Sequence, residues 1–195
     1  MSETLLSEDQ KQEIIEILET KDLPIEKVKE LYYANKTDKQ IVGQVAMNLS
    51  LRTSVYDREK EKSDTMVELL LDIAKSDDMG SRWAVAKNPH TPVEVLEFLS
   101  KDDVNLVRAL VATNPSTPSK ILQDFFSDEK IVRDGLSGNP STPVKLLHIL
   151  CDDSDKMVRL RLAENSAAPK EILEKLVKDL DPNVAKAAEL HLEKA

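Results

Sequence analysis

Three pairs of prolines, spaced alike, recur along this chain: Pro89/Pro92, Pro115/Pro118 and Pro140/Pro143. Aligning them exposes a tandem repeat: VAKNPHTPVEVLEFL (85–99), VATNPSTPSKILQDF (111–125), LSGNPSTPVKLLHIL (136–150) and LAENSAAPKEILEKL (162–176). The asparagines Asn88, Asn114, Asn139 and Asn165 step by 26, 25 and 26 residues, and Arg82, Arg108, Arg133 and Arg159 precede them in register. A unit of 25–26 residues is too short to bury an apolar face alone, so it must stack on its neighbours. Upstream the pattern weakens. VAMN (45–48) matches VAKN (85–88) at a step of 40, which places an insertion at TSVYDREKEKSD (53–64). LLSEDQKQEIIEILET (5–20), with Ser7 as its N-cap, and LPIEKVKELYY (23–33) read as an N-terminal helical cap over 1–40, ahead of a repeat stack over 41–195.

Each repeat reads as two short helices. Counted from the second proline, position +4 is Leu96, Leu122, Leu147 and Leu173; +3 is Val95, Ile121, Leu146 and Ile172; +7 is Leu99, Phe125, Leu150 and Leu176. That spacing makes one apolar stripe on a helix, whereas a strand would alternate with period two. Position +5 (Glu97, Gln123, His148, Glu174) faces water. Thr91, Thr117 and Thr142 are expected N-caps with proline at N1, and Thr91 with Glu94 fits a capping box. A turn rich in Asp and Ser follows, then a second helix with its apolar face at Val107/Val111, Val132/Leu136 and Val158/Leu162. The proline after each asparagine is expected to end that second helix.

The pattern V-R-x-x-V-A-x-N-P-x-T-P-x-x-x-L-x-x-L resembles the leucine-rich repeat variant (LRV) family, and more broadly HEAT-type helical repeats. The likeness is specific over Arg82–Leu176 and fades towards both ends. It implies an all-α, right-handed α-solenoid in which one of the two segments of a repeat is 3₁₀ or very short. Some family members carry an iron–sulphur cluster on an N-terminal cysteine group. This chain has a single cysteine, Cys151, so that feature is not carried over and no cofactor is expected.

Composition narrows function by exclusion. A net charge of −9 opposes generic binding to nucleic acid or to an anionic membrane, and it disfavours a HEAT-like nucleic-acid-processing enzyme. One cysteine excludes an internal disulfide framework and a Cys₄ site, which disfavours a redox or metal carrier and suggests a reducing, cytoplasmic setting. No stretch approaches the roughly 20 apolar residues of a membrane span. His148 and Cys151 are i, i+3, but their register places them at an exposed position and a helix end with no orienting third group. His90, His148 and His191 lack zinc spacing, and Asp152–Asp155 lacks the glycine and distal glutamate of a calcium loop. The arginine column reads as an ion-pair ladder that also satisfies turn carbonyls, with Asp77, Asp103, Asp128, Asp153 and Asp155 as nearby acids. The asparagine column reads as bonds to backbone in the Asn-Pro turn. Recognition is expected where repeats disagree: Trp83, Asp134, Leu160 and Arg161 face the groove if second helices line the concave side. The expected function is a non-catalytic scaffold or adaptor that binds a protein or peptide.

Overall fold

In the four aligned repeats the second segment folds as a nine-residue α-helix and the first as a short one of six or seven. The computed structural model describes residues 6–20, 22–52 and 63–194. In order, the helices are α1 (Glu8–Leu18), α2 (Ile25–Ala34), α3 (Lys39–Arg52), α4 (Asp64–Ile73), α5 (Met79–Lys87), α6 (Val93–Leu99), α7 (Asn105–Thr113), α8 (Ser119–Asp124), α9 (Lys130–Gly138), α10 (Val144–Leu150), α11 (Lys156–Glu164), α12 (Lys170–Leu176) and α13 (Pro182–Leu192). The sole 3₁₀ segment among the described residues is Phe125–Ser127, at the end of α8, and no strand occurs among them. The segments α7, α9 and α11, which the family likeness allowed to be 3₁₀, are α-helical. The expected insertion at 53–64 lies outside the described residues except for Ser63 and Asp64, which start α4.

Two compact units make up the chain, Met1–Val95 and Leu96–Ala195. In the first, α1 packs on α3 and α3 on α5, while α2 packs on α3 and α4. Ser7 caps α1 in a full capping box with Gln10, and Leu18 is the residue of α1 that is fully buried. In the second unit α7, α9, α11 and α13 form one continuous row, and α10 and α12 pack against it. This is a stack of helical repeats. Its core is the predicted stripe: Leu122, Leu147 and Leu150 from first helices meet Val107, Val111, Val132, Leu136, Val158 and Leu162 from second helices, all without solvent exposure. Gly135 permits the closest approach in the row. A Cβ there would lie 2.7 Å from the Ala109 carbonyl oxygen on α7.

Two local expectations are corrected. The prolines Pro118, Pro143 and Pro169 are themselves the N-caps, in extended conformation, and their carbonyls accept the first helical bonds. The threonine hydroxyls turn the other way. Thr91, Thr117 and Thr142 are buried and donate to the carbonyls of Val85, Val111 and Leu136, each at 2.6 Å. Each hydroxyl thereby adds a second donor to a carbonyl in the last turn of the preceding helix, beside the asparagine N–H that the carbonyl already accepts, rather than capping the helix that follows. The second correction concerns helix ends. Asn165 has Ser166 after it, not proline, yet it takes the same extended conformation as Asn88, Asn114 and Asn139. Proline is therefore dispensable for ending the second helix; the asparagine itself supplies the stop.

Candidate functional site

The asparagine and arginine columns hold successive repeats together. The Asn139 amide donates to the carbonyls of Ala112 (2.7 Å) and Asn114 (2.9 Å) in the preceding repeat, while its Oδ1 accepts the Ser141 N–H (2.8 Å). Asn165 repeats this on Ser137, Asn139 and the Ala167 N–H. Asn88 donates to the Leu49 carbonyl and Asn48 to that of Leu18. All are buried. One side chain thus closes its own turn and caps the helix before it, across the repeat boundary.

Each arginine does the same with charge. Arg108 donates from Nε and Nη2 to the two carboxylate oxygens of Asp128 (2.8 and 2.7 Å) and from Nη1 to the Asp102 carbonyl (2.8 Å). Arg133 holds Asp153 and the Asp128 carbonyl; Arg159 holds Asp179 and the Asp153 carbonyl. Arg82 donates to the Ser76 carbonyl. In each of the three pairs the carboxylate comes from twenty residues downstream, on the next turn, rather than from five upstream. The nearby upstream turn contributes carbonyls instead. The Arg108 guanidinium beside Asp128 holds that carboxyl below its ordinary value, and Arg159 does so for Asp179. At Asp153 burial pushes upward, but the Arg133 hydrogen bond, the Asp155 backbone N–H and the charges of Arg133 and Arg159 outweigh it and the carboxyl is lowered.

The four residues singled out for recognition fall in different units. Trp83 lies on α5 in the first unit, half-buried, with the Lys87 ammonium 5.2 Å from its ring centre. Asp134, Leu160 and Arg161 lie in the second unit, on α9 and α11. Asp134 is half-buried: Oδ2 is 2.8 Å from the Lys130 ammonium, and Oδ1 is shielded from solvent without a hydrogen-bond partner. Leu160 is half-buried, and Arg161 is exposed and meets Glu164 at 3.1 Å.

A further column went unread in the sequence. Two residues before Arg108, Arg133 and Arg159 stand Leu106, Ile131 and Met157, and all three are exposed, at 42%, 37% and 37%. The signal was present as the doubled apolar residues Leu106-Val107, Ile131-Val132 and Met157-Val158, where the buried face needs only the second of each pair. On a helix, positions three and four further along share that face. Leu110 therefore joins Leu106, Asp134 joins Ile131, and Leu160 and Arg161 join Met157. Because α7 packs on α9 and α9 on α11, these residues are carried by neighbouring helices of the second unit.

Burial pushes the Cys151 thiol above its ordinary value, which disfavours the thiolate a nucleophile needs. His148 is exposed and faces Glu171 at 3.7 Å. Among the described residues no three His, Cys, Asp or Glu side chains are placed to hold a metal ion, and no helix is long and apolar enough to cross a membrane.

No protein-family model matches the chain, and no curated protein does. Among solved structures it is similar to one described as a leucine-rich repeat variant with a novel repetitive protein structural motif, at 20% identity over 92% of this chain and 81% of that one, with a TM-score of 0.48.

Proposed function

We propose that this chain is a non-catalytic scaffold that binds a protein or peptide segment along the second-helix row of its second unit. The observation that carries this reading is the exposed column Leu106, Ile131 and Met157, repeated on three adjacent helices. Single exposed apolar residues are ordinary, but a contiguous apolar face with a polar rim is characteristic of docking surfaces. Leu160 and Arg161 extend the face on α11, and Asp134 adds a half-buried carboxylate held by Lys130. Trp83 is a separate anchor on the first unit. Helices α1 and α2 serve as the cap over 1–40. A stack held without disulfides, with one free buried thiol, suits a cytoplasmic setting.

The test is affinity capture from the native cell with wild-type protein and with Ile131→Asp/Met157→Asp. Both positions are exposed, so melting temperature should hold. A partner retained by the wild type and lost by the folded variant supports the reading. Equal capture by both refutes it, and a partner lost only with Trp83→Ala moves the surface to the first unit.

A further inference from the structure

The ladder has an empty rung in the first unit. Arg82, Arg108 and Arg159 each donate to the carbonyl six residues before them, which aligns Ser76 with Asp102 and Asp153. Asn48, buried and bonded to the preceding helix end, fixes the register one repeat earlier, and six residues before it stands Val42 where the other repeats have arginine. Valine for arginine and serine for aspartate remove both halves of the ion pair. A cleft of about 430 Å³ occupies the place, lined by Val42 and Ser76 together with Lys36, Lys39 and Lys75. All three lysines are exposed, and none forms an ion pair with a carboxylate among the described residues. Of the two acids on the wall, Asp72 accepts the Tyr32 hydroxyl at 3.1 Å, and Asp77 faces the cleft from the turn. Thr37 adds a hydroxyl, and the Ser76 oxygen already accepts the Asp78 N–H, so its proton is free to be donated. Three ammoniums stand against the two carboxylates of the wall, and the Lys39 charge also acts on Asp78 nearby.

We propose that this vacant rung binds a small phosphate monoester, its phosphoryl group among Lys36, Lys39 and Lys75 and its organic part along Val42. A phosphoryl group offers only acceptors, matching three ammoniums and two hydroxyls. The cleft is larger than a phosphate ion, which leaves room for the organic part. The site is independent of the apolar face on the second unit.

The probe is glycerol 3-phosphate, titrated into the full chain and followed by amide chemical shifts. Saturable shifts confined to residues 36–39 and 75–78 are expected, with tighter binding than inorganic phosphate. Lys39→Gln/Lys75→Gln should raise the dissociation constant at least tenfold without moving the melting temperature, since both side chains are exposed. Three results would overturn the proposal: no saturable shift up to 10 mM probe, equal shifts from sodium chloride at matched ionic strength, or unchanged binding in the double variant. Equal affinity for inorganic phosphate would overturn the ester assignment.

Discussion

Asn139 makes three hydrogen bonds with one side chain, two of them into the preceding repeat, at a site almost without solvent. Removing it strands the Ala112 carbonyl in the interior and the Ser141 N–H at a half-buried turn, each costing about 1–3 kcal/mol, while the Asn114 carbonyl keeps the Thr117 N–H. Asn139→Ala should therefore destabilise the chain by about 3 kcal/mol or more in urea denaturation. Pro140→Ala should cost under about 1 kcal/mol, because Asn165-Ser166 forms the same turn without proline. If the proline variant proves the costlier one, proline rather than the asparagine amide sets the turn. Leu122→Ala belongs to the same scale. It empties a fully buried site and should cost about 2–5 kcal/mol, while His148→Ala, on an exposed face, should stay within about 0.5 kcal/mol.

At the scale of elements, the spacing of neighbouring helices depends on which residue faces the next backbone. Gly135 sits where α9 meets α7, and an added Cβ would meet the Ala109 carbonyl oxygen at 2.7 Å and the Ala112 Cβ at 3.1 Å. Backbone cannot yield cheaply there. Gly135→Ala should destabilise by about 1–3 kcal/mol in spite of alanine's better helix propensity. Gly43, inside α3, is the control: a Cβ there finds nothing nearer than the Ser81 hydroxyl at 3.9 Å. Gly43→Ala should stabilise by about 0.5–1 kcal/mol, since it gains propensity without a clash. Thermal melts of the two variants that shift in the same direction would show that close approach of α7 and α9 does not govern this part of the row.

At the scale of the molecule, the ladder couples stability to pH. Asp128, Asp153 and Asp179 all have carboxyls lowered in the folded state, and their side chains are only 15%, 8% and 7% exposed. A lowered folded value means that the unfolded chain binds protons first. The contribution is therefore complete above the ordinary carboxylate value of about 4 and is lost as pH falls through the lower folded values. Melting temperature should be flat from pH 7 to about 5 and should fall steeply below about 4. The triple variant Asp128→Asn/Asp153→Asn/Asp179→Asn should start lower at pH 7 and show a shallower acid decline. An acid decline as steep as the wild type's would place the responsible carboxylates elsewhere. Because each pair is bidentate and partly buried, 0.5 M salt should change the neutral-pH melting temperature little.

The repeat, the helix pairs and the core stripe were legible because periodicity in Pro, Asn, Arg and Leu is a one-dimensional property. A helix buries the residues its own spacing aligns, so Leu122 and Val132 declared themselves. What the residues at each boundary bond to was not legible. Thr142 turning back to Leu136, Asn139 reaching Ala112 and Arg133 choosing Asp153 are all contacts decided by which turn lies against which helix after stacking. The exposed column Leu106, Ile131 and Met157 was written in the sequence as doubled apolar residues, the second of each pair belonging to the buried face, but only packing set the three helices that carry it side by side. The empty rung at Val42 is the sharpest case. Its departure from the arginine register is visible in the sequence, yet the lysines around it come from positions 36, 39 and 75, and only folding brings them to one cleft. Local spacing determines which face of a helix is buried; only the stacking of one repeat on the next determines which side chains meet across it.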